Sequence, residues 1–325
     1  MFSYRHAFHA GNHADVLKHI TLISTLQYLV QKDAGITVID THAGAGLYRL
    51  DGDYALKSGE SEDGVRKLIA QALLDKKPAK ASVGNAQAAI KNIAPALQDY
   101  LDAVTKVNRG DALKVYPGSP LMMFPLLRHE ARDKLKLFEL HPADFKSLVG
   151  HVQQLEAGRT VTVAQADGFE ALKALLPPPN KRALVLIDPS YELKSDYARV
   201  STCMADAMRR FPTGTYAIWY PIIPRAESHD LPRKLKTLAQ QAKKSWLHAT
   251  LNIGQDDEDE GLAPKVVIGP DGKALPAKRP GLRESGMFLI NPPHTLKAAL
   301  NEALPQAMDV LGRGRGKGFV VESGG

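Results

Sequence analysis

One run in this chain narrows the choice of fold more than any other. Leu184-Val185-Leu186-Ile187 leads straight into Asp188-Pro189-Ser190-Tyr191-Glu192. Four consecutive apolar residues read as a strand buried on both faces of a parallel sheet. Pro189 has no N–H for the ladder, so the strand should stop there. Asp188 and Tyr191 then sit at the carboxyl end of a central strand, the edge where open α/β sheets bind ligands. A carboxylate, a fixed turn and an aromatic plate suit a flat base with an exocyclic amine. The same residues also suit a plain strand-ending turn with a surface acid.

The chain has 325 residues, enough for one large domain or two small ones. At 44% hydrophobic and 24% charged it has an ordinary globular make-up. Its 42 Lys and Arg against 35 Asp and Glu give +7, which permits a polyanionic partner without demanding one. Cys203 is the one cysteine, so an intrachain disulfide and a Cys-rich metal site are excluded, and a reducing cytoplasm is expected. Met1-Phe2-Ser3-Tyr4-Arg5-His6 lacks the apolar region of a signal peptide, and no run of about 18 apolar residues predicts a membrane span.

Asn12 reads as a helix N-cap, with Asp15 three residues on in a capping-box relation. Val16, Leu17, Ile20, Ile23, Leu26, Leu29 and Val30 then repeat at helical spacing, and Lys18 and His19 fall in the early turns. His6, His9, His13 and His19 match no tight ligand pattern, so no metal is expected. A first strand at 36–40 meets the glycine turn Thr41-His42-Ala43-Gly44-Ala45-Gly46, where a backbone can approach a ligand closely. A lone GxG fits a dinucleotide, a nucleoside cofactor or only a tight turn. The acid-ended second strand that a dinucleotide needs about 20 residues later is missing, as is the phosphate-cradling GxxxxGK[ST] pattern.

Residues 51–115 read as an inserted helical subdomain, with helices near 65–73 and over 86–101. Its scattered lysines make it either a solvated lid or a basic flap guiding a nucleic-acid backbone. Tyr116-Pro117-Gly118-Ser119-Pro120 is a rigid turn that can present the Ser119 hydroxyl. A strand at 135–139 ends in Glu139, placed to accept from ribose hydroxyls. Another at 161–164 leads to Asp167, which can accept from an adenine amine or simply cap the next helix. Strands at 216–221, 246–253 and 285–291 bring the count to seven. Residues 255–261 form a solvated acidic loop, and 262–284 are expected to be mobile. The organisation is thus an N-terminal motif, helix and first strand at 1–50, the insertion at 51–115, the rest of the main domain at 116–312, and a flexible basic tail at 313–325.

A glycine turn for an amino-acid tail, an acid for ribose, an acid for adenine and an amine-facing loop describe S-adenosylmethionine plus an amino acceptor. The block Tyr4-Arg5-His6-x-Phe8-His9-Ala10-Gly11-Asn12-x-Ala14-Asp15-Val16-Leu17-Lys18-His19 carries a resemblance, together with the 40–46 and 116–120 turns, Glu139-Leu140-His141-Pro142, Ala166-Asp167-Gly168 and Trp219-Tyr220-Pro221. These resemble the bacterial 23S ribosomal RNA adenine-N6 methyltransferase family, RlmJ, over nearly the whole chain. The resemblance implies an α/β, Rossmann-like class I methyltransferase fold with a mostly parallel seven-stranded sheet and a small inserted helical subdomain. It implies His19, His42, Ser119, Glu139, Asp167, Gly168 and Asp188 at S-adenosylmethionine, beside Gly44 of the glycine turn. It also implies Asp188 as the catalytic acid and Tyr4 near the substrate base. The family's usual motif is Asp-Pro-Pro-Tyr; Ser190 replaces the second proline here, which frees one N–H and loosens the turn. Residues 255–284 also look longer than usual.

On this reading the Asp188 carboxylate and the Pro189 carbonyl accept the two N–H bonds of an adenine N6 amine. Tyr191 and Tyr4 stack on an unstacked base. Arg5 and Lys18 contact phosphate or cofactor. The expected partner is 23S ribosomal RNA, protein-free or in an early assembly intermediate, with no membrane and with the chain a cytoplasmic monomer. Two other classes share these residues. One is a DNA adenine-N6 methyltransferase, although no zinc finger or helix-turn-helix signature is visible. The other is a non-catalytic RNA-binding protein on the same fold, against which intact Asp188 and Tyr191 argue.

Overall fold

The computed structural model describes residues 5–75, 92–108, 112–255, 267–268, 274–275 and 281–325. In chain order its helices are α1 (His13–Val30), α2 (Asp53–Ser58), α3 (Lys67–Asp75), α4 (Pro95–Lys106), α5 (Ser119–Met123), α6 (Pro142–Gln153), α7 (Gly168–Leu175), α8 (Lys194–Arg210), α9 (Ala226–Gln241) and α10 (Leu296–Leu311). The strands are β1 (Thr37–Asp40), β2 (Leu47–Arg49), β3 (Val115–Pro117), β4 (Lys134–Phe138), β5 (Val161–Ala164), β6 (Ala183–Ile187), β7 (Thr215–Ile222), β8 (Trp246–Asn252), β9 (Val267–Ile268), β10 (Ala274–Leu275), β11 (Glu284–Ile290) and β12 (Gly318–Gly324).

The main sheet runs β12-β8-β11-β7-β6-β1-β4-β5. Strands β5, β4, β1, β6 and β7 are mutually parallel, and β11 lies antiparallel between β7 and β8. Val38 is level with Leu135 on one side and Leu184 on the other. The chain adds β4 and β5 on one flank of β1, then crosses to add β6 and β7 on the other. That reversal opens a crevice at the carboxyl ends around β1.

Strand β6 is buried at every position, as its unbroken apolar run demands. Alternate side chains serve opposite layers. Leu184 and Leu186 pack with α1, α4 and α10, whereas Val185 and Ile187 pack with residues of α7, α8 and α9. Each such side chain contributes roughly 1.5–3 kcal/mol of burial.

Helix α1 starts as its sequence reads. Asn12 Oδ1 accepts from the Ala14 and Asp15 N–H groups at 3.0 Å each, and Asp15 Oδ2 reaches back to the Gly11 N–H at 2.9 Å. The helix is buried almost all round, so Asp15, Lys18 and His19 are carried into the interior with it.

Three expectations change. The sheet has eight strands rather than seven, because residues expected as a flexible tail form β12, antiparallel to β8. Phe319 and Val321 turn toward the core while Val320 and Glu322 face out, a period of two that the preceding Gly/Arg run obscures. Within the stretch expected to be mobile, β9 and β10 pair antiparallel; 256–266, 269–273 and 276–280 lie outside the described residues. The helix expected over 86–101 is α4, which begins at Pro95 because proline suits the first helical turn. Residues 76–91, with most of the proposed basic flap, lie outside the described residues. Leu97, Tyr100, Leu101 and Val104 of α4 join the same core as α1 rather than forming one of their own. No helix among the described residues is long and apolar enough to cross a membrane.

Candidate active site

A cleft of about 300 Å³ opens across the carboxyl ends of β1, β4, β5 and β6. Gly44, in the turn after β1, has φ +61°, and a Cβ there would lie 2.2 Å from Tyr48 Oη. Its N–H donates to Glu139 Oε2 at 2.9 Å, and the His141 N–H donates to Oε1 at 2.7 Å. Glu139 thereby ties the tip of β4 to the glycine turn. Asp167 caps α7 by accepting from the Phe169 N–H at 2.9 Å, and Arg199 Nη2 donates to its other oxygen at 2.5 Å. Gly168 packs against the β1 turn so closely that a Cβ would sit 2.0 Å from the Thr41 carbonyl oxygen.

Charge in the cleft is organised by α1. Lys18 Nζ lies 2.7 Å from Asp188 Oδ2 and 2.9 Å from Asp15 Oδ1. Burial alone would favour a neutral lysine, but the two carboxylates outweigh it and hold its pKa well above the usual value. Burial likewise opposes ionisation of Asp15; His6 and Lys18 overcome this and hold its carboxyl well below the usual range. Asp40, wholly buried at the end of β1, accepts from Ser119 Oγ at 2.6 Å and from the His42 N–H at 3.2 Å. Burial still pushes its pKa up to about 7. Burial also lowers His42 to about 4 and His19 to about 3, so both imidazoles are neutral near pH 7. His19 Nδ1 is 2.7 Å from Tyr116 Oη, while its buried Nε2 has no partner among the described residues.

Comparison with known proteins adds to this geometry. The family model described as "Ribosomal RNA large subunit methyltransferase D, RlmJ" matches residues 33–321. The ribosomal RNA large subunit methyltransferase J of Escherichia coli is 38% identical over 305 residues, covering 94% of this chain and 92% of that protein. Its Haemophilus influenzae counterpart is 37% identical over 312 residues, covering 96% and 94%. The chain belongs to the RlmJ family. A crystal structure of the Legionella pneumophila protein LPL1258 has a TM-score of 0.75 at 30% identity, covering 97% of this chain and 98% of that one.

Among the residues that the RlmJ resemblance brings forward, His19, His42, Gly44, Ser119, Glu139, Asp167, Gly168 and Asp188 line the one cleft, and Pro189 joins them. Tyr191 does not. Its backbone turns left-handed at φ +53°, which sends the ring inward; the side chain is 3% exposed. Its hydroxyl donates to the Trp219 carbonyl at 2.6 Å and its ring packs 4.6 Å from that of Tyr197. In this structure the residue expected to stack on a base anchors the loop instead. Lys18, expected on phosphate or cofactor, is held between Asp15 and Asp188. Arg5 sits beside the cleft, with Nη1 3.2 Å from His141 Nδ1 and 3.5 Å from Asp144 Oδ1. Tyr4 lies outside the described residues.

Four contributors escape a reading of the sequence alone. Asp40 could have been noticed as an acid closing a buried strand, and Asp15 as the i,i+3 neighbour of Lys18 on a helix with no polar face. His6 bonds Asp15 at 3.0 Å, and Arg199 lies over the Phe169 ring at 4.5 Å. No local pattern marks either of these two.

Proposed function

We propose that this chain transfers the methyl group of S-adenosylmethionine to the N6 amine of an adenine in 23S ribosomal RNA. Methylation of large-subunit ribosomal RNA follows from membership of the RlmJ family. The choice of amine rests on one observation: the Asp188 carboxylate ends a fully buried strand, yet faces the same cleft as Glu139 and Asp167.

The side chains fit a nucleoside with an amino-acid tail. Glu139 offers acceptors for ribose hydroxyls, and Asp167 with the Phe169 ring suits an adenine edge and face. The partnerless Nε2 of His19 suits a polar tail. Carboxylates around the cleft complement a positively charged sulfur. When bound, S-adenosylmethionine supplies an electrophilic methyl group.

The N6 lone pair is delocalised into the adenine ring, so the amine is a weak nucleophile. Asp188 and the Pro189 carbonyl accept its two N–H bonds, which favours a tetrahedral nitrogen with its lone pair aimed outward. Such positioning supplies roughly 7–11 kcal/mol in the best intramolecular cases. The charge of Asp188 stabilises positive charge growing on nitrogen. Lys18 Nζ, 2.7 Å away, holds that carboxylate in place before the amine arrives. The displaced proton leaves through Asp188, whose side chain is 15% exposed, toward solvent.

The base must first leave its stack, at a cost of a few kcal/mol that is least in loosely structured RNA. Protein-free 23S RNA or an early assembly intermediate in the cytoplasm is therefore the favoured substrate. A monomer is the proposed working form. Incubation with methyl-labelled S-adenosylmethionine and separate pools of protein-free 23S RNA, assembled large subunits and DNA tests this. Label should appear as N6-methyladenine in the protein-free RNA, and Asp188→Ala should abolish it with circular dichroism unchanged. Preferential labelling of DNA, or near-normal turnover by the variant, overturns the reading.

A further inference from the structure

We propose that Tyr116 is a positioning residue that locks His19 in its Nε2–H tautomer, so that the cleft offers a neutral, buried N–H donor to the carboxylate of the cofactor's amino-acid tail. This rests on the cofactor reading above and deepens it.

Three buried groups form a chain. His19 Nδ1 lies 2.7 Å from Tyr116 Oη, which lies 3.2 Å from Tyr100 Oη. All three residues are 0% exposed, and the His19 and Tyr116 rings are stacked at 5.6 Å. Burial lowers the pKa of His19 and raises those of both phenols, so the imidazole carries one proton and each hydroxyl keeps its own. Three protons must therefore be distributed over two hydrogen bonds.

Three arrangements make both bonds. In the first two, Nδ1–H donates to Tyr116, and either the Tyr100 proton, when Tyr116 donates to Tyr100, or the Tyr116 proton, when Tyr100 donates to Tyr116, is left in the core with no acceptor among the described residues. In the third, Tyr100 donates to Tyr116, Tyr116 donates to Nδ1, and the remaining proton sits on Nε2 of a side chain that lines the cleft. A buried donor without an acceptor costs about 1–3 kcal/mol. The third arrangement strands no phenol proton: its one unpartnered donor is Nε2–H, on a side chain that lines the cleft, where a bound ligand can supply the acceptor.

The chemistry of the cleft names the recipient. Glu139, Asp167 and Asp188 are acceptors and would repel a carboxylate. The Lys18 ammonium is already held by Asp15 and Asp188. A neutral imidazole N–H can hold a carboxylate without drawing Lys18 away from Asp188. Tyr100 belongs to α4, so the inserted helices reach the site through this chain.

The test uses the full-length wild type, Tyr116→Phe and Tyr100→Phe. Imidazole 15N spectra of the cofactor-free proteins read the tautomer. Calorimetry with S-adenosylhomocysteine and with 5′-methylthioadenosine, which lacks the amino-acid tail, reads binding. The wild type should show a protonated Nε2 and a bare Nδ1. Tyr116→Phe should populate the Nδ1–H form and weaken S-adenosylhomocysteine about ten-fold, with 5′-methylthioadenosine unchanged. Tyr100→Phe removes a hydroxyl from the same cluster but leaves Tyr116 able to donate to Nδ1, so it should preserve tautomer and affinity. A wild-type-like tautomer in Tyr116→Phe, or equal weakening of both ligands, overturns the inference. Failure of the folded wild type to bind S-adenosylhomocysteine would instead sink the cofactor reading beneath it.

Discussion

Asp40 is wholly buried, and burial outweighs its bonds from Ser119 and His42 to lift its pKa to about 7. In an unfolded chain an aspartate titrates near pH ~4. The folded state therefore holds this proton more tightly. The stabilisation it brings is complete below about pH 4 and is lost as pH rises through about 7. Asp40→Asn keeps the shape and removes the titration. Between about pH 5 and 7 the wild type should lose up to about 1.4 kcal/mol per pH unit relative to that variant, read from urea midpoints. A gap that stays constant over this range would show Asp40 to be ionised throughout. Lys18 carries a second prediction. Lys18→Met leaves Asp15 and Asp188 without their shared cation, and breaking a buried pair in this way costs about 3–5 kcal/mol. A loss under about 1 kcal/mol by urea denaturation would place that charge pair in water. The i,i+3 spacing of Asp15 and Lys18 is visible in the sequence, but the partner Asp188 is 170 residues away and only the folded sheet brings it there. The direction of Tyr191 was equally hidden. A non-glycine residue at φ +53° is held by packing against Tyr197 and Trp219, not by any local preference.

Strands β6 and β12 bracket what an element reveals of itself. β6 is read from its residues because burial on both faces removes the alternation and leaves an apolar run that nothing else explains. β12 turns only Phe319 and Val321 inward and follows glycines and arginines, so its composition resembles a tail. Its strand character comes from β8, which would otherwise be a free edge. The helix starts at Asn12 and Pro95 show the same split: Asn12 announces its cap, while Pro95 fixes a boundary that helical spacing alone puts too early. Deleting residues 318–325 should uncover the N–H and C=O groups of β8 and two apolar contacts. The melting temperature should drop by on the order of 5 °C, with aggregation on heating. S-adenosylhomocysteine binding, measured by calorimetry, should persist, since β12 is at the β8 edge and the cleft lies around β1 and β6. Loss of binding with an unchanged melting curve would mean that this strand acts on the site rather than on the sheet.

The whole molecule is a device for bringing residues from α1 and from four adjacent strand tips to one crevice, and it does so by burying groups that prefer water. Strand sequence and strand-end acids convey the crevice; the protonation state of what is buried there is a property of the completed fold. His13, His19 and His42 are held neutral by burial, with pKa values lowered to about 4, 3 and 4. In the unfolded chain a histidine titrates near pH ~6.5. Each therefore contributes stability that is fully present above about pH 6.5 and is lost as pH falls toward about 4. Asp40 acts in the opposite sense across the same window. Three groups against one leave a net loss of about 2.7 kcal/mol per pH unit on acidification from these four. His13 is the most informative to change, because it does not line the cleft. His13→Gln removes one of the three titrations whatever its fixed cost. The slope of unfolding free energy against pH between about 4.5 and 6 should then flatten by about 1.4 kcal/mol per unit, measured by tryptophan fluorescence in urea. An unchanged slope would mean that His13 is protonated in the native protein over that range, and that the N-terminal turn of α1 is open to solvent.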